Sequence, residues 1–171
     1  NVRQLTFGGD NAEAYFSFDS KKITYQMRNK DKGMDCDQIY YFELKNTNTK
    51  DVAPSLISTG MGRTTCSYFL PGDSLILYAS THLGNKECPK DPERRPDGKY
   101  VWAIYSDFDI FISNLKGEIK TQLTIAPGYD AEATVSPDGK KIVFTSIRSG
   151  DLELYTMDVN GKNVKQVTNQ L

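Results

Sequence analysis

The chain has 171 residues, 38% of them hydrophobic and 11% aromatic, a composition typical of a folded domain. Its 21 Lys and Arg residues nearly balance 22 Asp and Glu residues, and the net charge of -1 excludes nucleic-acid binding driven by overall positive charge. The longest apolar run, residues 100–105, is far shorter than the roughly 20 residues of a membrane-spanning helix. We therefore expect no nucleic-acid partner and no transmembrane segment.

The sequence begins with Asn1 and contains no charged, apolar and small-residue succession typical of a signal peptide. We therefore expect a processed chain or a piece of a longer one. Three cysteines, Cys36, Cys66 and Cys88, allow one internal disulfide, and their spacing leaves its connectivity open.

An internal repeat organises the chain. In order, its copies begin with residues 12–26, 66–80 and 130–146. Each copy has a β-rich run at the same place, at residues 23–25, 76–78 and 143–145. These runs predict strands.

Turn signals separate the predicted strands. Residues 136–139 read Ser-Pro-Asp-Gly, where proline fixes φ and glycine accepts a positive φ, so they predict a tight hairpin between the first and second strands. Lys-Gly at 116–117 and Asn-Gly at 160–161 play the same role between third and fourth strands. Four short antiparallel strands per copy without a helical period indicate the blade of a β-propeller. A β-sandwich is the alternative.

The fold class we predict is all-β, a partial propeller of three four-stranded blades at about 7–59, 60–124 and 125–168, forming one segment over 1–171. Residues 1–6 are predicted as one extra strand, the fourth of a preceding blade, because 2–6 match 120–124 and 164–168. The first two blades carry inserts between their second and third strands, at 27–37 and 83–107. Since propellers close with about 4 to 8 blades, we expect a larger ring or two associated copies.

A family resemblance follows from the third copy. SPDGKKIVFTSIRSG at 136–150, ELYTMD at 153–158 and residues 164–168 resemble the TolB-type (PD40, WD40-like) propeller repeat. Blade one has Phe18 and Ser20 where the motif has proline and glycine, and blade two reverses the next pair to Gly72 and Asp73. These departures put the turn type in doubt but leave the hairpin. The resemblance implies a six-bladed propeller in a periplasmic or secreted bacterial protein, docking proteins or the cell envelope without catalytic residues.

The innermost strands supply one candidate site, because they line the channel of a propeller. Glu13 and Glu132 occupy the same repeat position in blades one and three. Cys66 occupies it in blade two, with Arg63 just upstream. The acidic residues near the channel form a predicted carboxylate rim that binds a cation or a basic partner segment. Alternatively, they accept backbone hydrogen bonds from neighbouring blades. The rim carboxylates are Asp10, Glu13, Asp130 and Glu132.

His82, the single histidine, takes the repeat position of Arg148. We expect each to pair with a following acid, Asp107 for His82 and Asp151 for Arg148, and so to close its own hairpin. Proton transfer at His82 is the functional alternative.

The second insert is the other candidate surface. Its residues 85–99 carry both charge signs and three prolines, which predicts an exposed loop. Trp102 and Tyr105, with Tyr100, could form a platform for a sugar or peptide, or fold over the blade as a lid. A catalytic role for Cys66 or Cys88 with His82 lacks a nucleophile motif.

These observations favour a non-catalytic binding propeller of the bacterial envelope that docks a protein or glycan through loops and channel rim on one face. The alternative is a propeller lyase or hydrolase, or an accessory domain gating a peptidase. We expect a periplasmic or secreted location, with any membrane anchor outside this sequence, and no cofactor beyond a cation at the rim. The candidate binding residues are Glu13, Arg63, His82, Trp102, Tyr105, Asp130 and Glu132.

Overall fold

A computed structural model describes residues 2–44, 53–99 and 101–169. These residues form three antiparallel sheets of four strands each, with one 3₁₀ turn at Lys30–Lys32. None of the described segments is a helix long and apolar enough to cross a bilayer. The first sheet contains β1 (Asp10–Phe16), β2 (Lys22–Asn29), β3 (Met34–Glu43) and β4 (Ser55–Leu56). The second contains β5 (Thr64–Phe69), β6 (Leu75–Ser80), β7 (Asp109–Asn114) and β8 (Ile119–Gln122). The third contains β9 (Asp130–Val135), β10 (Lys141–Ser146), β11 (Glu153–Asp158) and β12 (Lys165–Gln166).

Each sheet is a blade whose strands lie side by side in chain order. The innermost strand of the middle blade, β5, contacts β1 on one side and β9 on the other. The blades are therefore consecutive around a common axis, and the predicted all-β partial propeller is confirmed. Residues 2–6 join none of the three sheets, although Leu5 packs against the outer face of blade one. Their assignment to a preceding blade stays a prediction.

Packing between blades explains the pattern of burial. In β6, Leu77 faces blade three and Tyr78 faces blade one, so nearly the whole strand is buried. Strand β10 alternates between buried and more open positions, because only one of its faces meets another blade. Large apolar side chains are exposed on the faces of blades one and three that point away from blade two. Phe16 of blade one is 59% exposed and Leu154 of blade three is 43% exposed.

The first insert is not a loop. Strand β2 continues to Asn29 and β3 begins at Met34, so most of the predicted insert 27–37 lies in strands. The connection is the 3₁₀ turn followed by Gly33 at φ +72°. The extra residues therefore lengthen a hairpin, which corrects the sequence interpretation. In the second insert, the described residues between 83 and 107 form no strand.

The hairpins between first and second strands form in all three blades. In each, the fourth residue donates its backbone N–H to the carbonyl of the first, at 2.8–3.0 Å. That fourth residue, Ser20, Asp73 or Gly139, adopts a left-handed φ of 54–71°. In blade two the preceding Gly72 is also left-handed, so its reversed Gly-Asp pair changes the turn type and keeps the hairpin.

Candidate functional site

The three innermost strands share a β-bulge. Their register shifts between Ala12 and Tyr15, between Thr65 and Ser67, and opposite Val143 to Thr145. The bulged residues Glu13, Cys66 and Glu132 have φ values of 49°, 41° and 57°. We call them the bulge residues. Their shared backbone conformation agrees with the repeat position assigned from the sequence, and a bulge turns its side chain out of the regular ladder.

Glu13 is exposed on the innermost strand of blade one. Its Oε2 accepts a hydrogen bond of 2.9 Å from the hydroxyl of Tyr15. This bond, with burial and the negative charge of Glu13, raises the pKa of Tyr15 to about 12. The carboxylate is therefore held by a side chain of its own strand, while the rest of it faces solvent.

Glu132 is the matching carboxylate of blade three. Its Oε1 accepts from the Tyr129 hydroxyl at 3.2 Å and its Oε2 accepts from Thr145 Oγ1 at 2.8 Å. Tyr129 is also hydrogen-bonded to the side chain of Trp102 in the second insert. The insert is thereby connected to a bulge residue of the next blade through a single tyrosine.

Cys66 lies between these two carboxylates in the order of the blades and is the free thiol among the described cysteines. Burial raises the pKa of Cys66 to about 11, with a further increase from Glu13 and Glu132 and an opposing hydrogen bond from Thr65. Because the thiolate is the nucleophilic form, Cys66 is poorly suited to covalent catalysis at neutral pH.

The other two rim carboxylates are engaged by arginines. Asp130 is 1% exposed, and both of its oxygens accept from Arg148 Nη2, at 2.8 and 2.9 Å. Asp10 accepts from Arg28 at 3.0 and 3.2 Å. Arg148 therefore does not pair with Asp151 as the sequence predicted. Ser146 of β10 is paired with Asp130 of β9, and Arg148 comes two residues after Ser146. The strand register therefore brings Arg148 close to Asp130.

His82 occupies the place of Arg148 but forms no pair with Asp107. Its Nδ1 lies 2.9 Å from Ser80 Oγ, and its ring centroid lies 4.6 Å from that of Phe111. Burial lowers the pKa of His82, which favours the neutral ring. Arg148 makes the matching bond to Ser146 at 2.9 Å. The predicted equivalence is therefore visible in the contacts, whereas the predicted acid partners of both residues were wrong.

The second insert is tied to blade one. A disulfide joins Cys36 of β3 to Cys88 of the insert, with Cα atoms 5.5 Å apart. Tyr105 lies under the guanidinium of Arg63, 5.5 Å from ring centroid to Cζ, and its hydroxyl donates to the Lys90 carbonyl at 2.6 Å.

The two aromatic candidates of the insert therefore have different surroundings. Tyr105 packs against buried Phe108, as in the lid alternative, whereas Trp102 remains 38% exposed. Tyr100 lies outside the described residues. Arg63 is 5% exposed and contacts the insert.

Sequence reasoning missed Arg28 and Asp91, which form ion pairs with each other and with Asp10 and Arg63. Arg28 and Asp91 are 63 residues apart, and no local motif connects them. The cysteines in the two inserts were the available signal. Within the described ranges, no group of three or more His, Cys, Asp or Glu side chains is arranged to hold a metal. The cation at the rim stays a prediction.

Comparison with known proteins identifies the fold. Residues 86–170 match the PD40 family model, described as the TolB beta propeller domain. This part of the chain resembles a TolB-type β-propeller domain. An uncharacterized protein of Agrobacterium fabrum is 33% identical over 76 residues, which cover 43% of this chain and 26% of that protein. The predicted TolB-type resemblance is thereby confirmed.

Solved structures extend the match in fold over nearly the whole chain. TolB from Acinetobacter baumannii superposes with a TM-score of 0.67 at 22% identity, covering 95% of this chain and 33% of its own. A TolB candidate from Agrobacterium tumefaciens gives 0.62 at 19% identity, covering 92% and 46%. The tricorn protease gives 0.55 at 13% identity, covering 90% and 18%. The chain thus spans less than half of each of these proteins, and at these identities the match concerns the fold alone.

Proposed function

We propose that this TolB-type segment is a non-catalytic binding module of the bacterial envelope, which docks a basic segment of a protein partner at the inner wall of its channel. The observation that carries the proposal is the link from Trp102 through Tyr129 to Glu132. This link connects the partly exposed Trp102 side chain of the insert to the exposed carboxylate of Glu132 on an innermost strand. A partner's lysine or arginine side chain is complementary to such a surface.

The bulge residues add to this proposal. Glu13 and Glu132 are both exposed, and both raise the pKa of Cys66, so their negative potentials overlap at the middle blade. Overlapping potentials of one sign attract a segment of opposite charge and speed its association. The carboxylates are already positioned by hydroxyl donors, so little ordering is needed on binding.

The contacts of the titratable side chains favour binding over catalysis. Cys66 has a raised pKa, and His82 bonds to Ser80 beside an aromatic ring. A nucleophile needs an adjacent base within hydrogen-bond reach and must also be open to a substrate, whereas Ser80, the hydroxyl that His82 contacts, is fully buried. The alternative of a propeller enzyme, or of an accessory domain gating a peptidase, stays a prediction.

The disulfide supports the proposed location. Structural disulfides persist in oxidising compartments such as the bacterial periplasm and the extracellular space, and are rare in the cytosol. The Cys36 and Cys88 pair links two blades of this chain. We therefore infer a periplasmic or secreted protein.

Binding of labelled hexalysine to the 171-residue chain, followed by fluorescence anisotropy at low salt, tests the proposal. We expect the double variant Glu13→Gln/Glu132→Gln to weaken binding by about tenfold or more, because it removes both inner-wall charges. The matched control Glu43→Gln/Glu118→Gln removes two exposed carboxylates that lie outside the innermost strands. It should leave the affinity for hexalysine within about twofold.

Equal losses in the two double variants would show that only net charge matters and would contradict the proposal. A glycan array provides the other comparison. Binding of an envelope glycan that survives Glu13→Gln/Glu132→Gln, without any binding of hexalysine, would replace the protein partner with a sugar.

A further inference from the structure

Two arginines from neighbouring blades converge on one acidic residue of the second insert. Arg28 belongs to β2 of blade one, and Arg63 directly precedes β5 of blade two. Asp91 Oδ2 lies 3.2 Å from Arg28 Nη1, and its Oδ1 accepts a hydrogen bond from Arg63 Nη2. The two oxygens of a single carboxylate thus bridge the two blades.

The guanidinium of Arg63 depends on the insert for its hydrogen bonds. Its Nη2 contacts Cys88 Sγ, the Pro89 carbonyl and Asp91, all of which belong to the insert. Its Nε is buried and has no hydrogen-bond partner among the described residues, and the whole side chain is only 6% exposed. A buried guanidinium is costly unless it is paired, so Arg63 requires an acceptor at the place that Asp91 occupies.

Two further carboxylates lie close by. Asp10 bonds to Arg28 at 3.0 Å, and Asp37 is close enough for both arginines to oppose the increase that burial causes in its pKa. With Asp91 absent, Arg28 and Arg63 balance Asp10 and Asp37 in charge. Arg63 would then keep only its contacts to Cys88 and the Pro89 carbonyl and lack a charged acceptor, because neither Asp10 nor Asp37 forms a hydrogen bond to Arg63 within the described ranges.

Asp91 is held there from an open position. Half of its side chain is exposed and Arg28 is 23% exposed, so another carboxylate can reach Arg28 from solvent, whereas the buried Arg63 becomes accessible only when the insert moves aside. Cys88 lies three residues before Asp91 and is bonded to Cys36. This short connection keeps the Asp91 carboxylate at a high effective concentration beside the arginines.

We propose that Arg28 and Arg63 form a carboxylate-binding site in which Asp91 is a built-in ligand, and that an acidic side chain of a partner protein takes its place when the insert moves aside. The site lies at the junction of blades one and two and differs from the bulge residues in its charge preference. It binds acidic groups, whereas the channel wall is proposed to bind basic ones, so either proposal can fail without the other.

A variant that removes the built-in ligand tests this proposal. Rhodamine-labelled hexaglutamate is titrated with the 171-residue chain at low salt, and anisotropy gives the affinity. We expect Asp91→Asn to bind the peptide about tenfold more tightly than the unmodified chain, because the internal competitor is lost. Asp91→Glu, which restores a carboxylate, should bring the affinity back towards the original value.

Asp97→Asn is the matched control. It makes the same change in charge within the same insert, but among the residues that the structure describes Asp97 forms ion pairs only with nearby Arg95 and Lys99. Its affinity should equal that of the unmodified chain. In Asp91→Asn/Arg28→Gln the gain should be lost, because one of the two donors is missing.

The proposal is overturned if folded Asp91→Asn shows no gain, if Asp97→Asn gains equally, or if the gain persists without Arg28. A gain for inorganic phosphate but not for hexaglutamate would overturn the choice of a carboxylate. Near-ultraviolet circular dichroism establishes folding. If Asp91→Asn does not fold, Cys36→Ser/Cys88→Ser becomes the deciding variant, since a loosened insert should also bind hexaglutamate more tightly and an unchanged affinity would contradict the site.

Discussion

Asp130 illustrates how a residue chosen for its charge can have a structural role. It is buried at the start of β9, and Arg148 binds both of its oxygens while the guanidinium lies 5.1 and 5.2 Å from the ring centres of Tyr155 and Phe144. Removing one partner of a buried ion pair leaves an uncompensated charge, at a cost of about 3–5 kcal/mol. We expect Asp130→Asn, which keeps the shape and loses the charge, to lower the free energy of unfolding by roughly 2–3 kcal/mol in urea titrations.

Asp151→Asn is the natural comparison for Asp130→Asn. Asp151 is exposed and, in the part of the chain that the structure describes, its carboxylate accepts only the backbone N–H of Leu152, so its replacement should change stability by less than about 0.5 kcal/mol. An equal effect of the two substitutions would contradict the pairing of Arg148 with Asp130 and would favour the pairing with Asp151 that the sequence predicted.

Cys66 offers a direct measurement of the potential at the inner wall. Its pKa of about 11 is raised from an ordinary value of 9.0, so at neutral pH its thiolate fraction is about a hundredfold lower than that of an unperturbed thiol. We expect alkylation by iodoacetamide to be correspondingly slow and to rise about tenfold per pH unit up to that pKa. Glu13→Gln and Glu132→Gln should each accelerate it, because each removes a charge that opposes the thiolate. Glu118→Gln should not, because Glu118 is not among the charges that raise the pKa of Cys66.

At the scale of elements, the innermost hairpin of blade two is hydrogen-bonded to that of blade one. The carboxylate of Asp73 in the turn of blade two accepts the backbone N–H groups of Phe18 and Asp19 in blade one, at 2.7 and 2.8 Å. In the other two turns, the aspartates bond within their own hairpin. The reversed Gly-Asp pair of blade two thus directs the acid to its neighbour.

We expect Asp73→Asn to destabilise the chain by about 1–2 kcal/mol, since an asparagine side chain retains one acceptor and tolerates the left-handed φ of 54°. Urea denaturation measures the loss. Asp138→Asn, in the matching turn of blade three, should have a smaller effect because its carboxylate is exposed and its partners are local. A larger loss at Asp138 than at Asp73 would show that contacts between blades do not decide the stability of these turns.

The elements that could be predicted are those encoded by local pattern. Repeated β-rich runs and turn residues gave the blades, the hairpins and the shared position of Glu13, Cys66 and Glu132. The partners of Arg148 and His82 were mispredicted because strand register, and not distance along the chain, decides which side chains meet. The Arg28 and Asp91 pair joins strand β2 to the second insert, and the conformation of that insert has no periodic signal.

At the scale of the whole molecule, the disulfide joins segments 52 residues apart and fixes the insert to blade one. In the chain-entropy account, a loop of that length contributes up to about 4 kcal/mol by restricting the unfolded state. We expect Cys36→Ser/Cys88→Ser to lower the urea midpoint substantially and to speed hydrogen exchange in residues 83–99. Cys66→Ser should change either quantity much less. Unchanged exchange in the insert would mean that its other contacts suffice.

The position of the free thiol has a consequence for biosynthesis. Cys66 lies between Cys36 and Cys88 along the chain, so either incorrect pairing closes a shorter loop than the native bond does. In the unfolded chain the incorrect bonds are therefore entropically favoured. Correct oxidation depends on β5 sequestering its thiol before the insert is oxidised, or on an isomerase that reshuffles the bonds. Air oxidation of the denatured chain should yield mixed isomers, and refolding first should yield one.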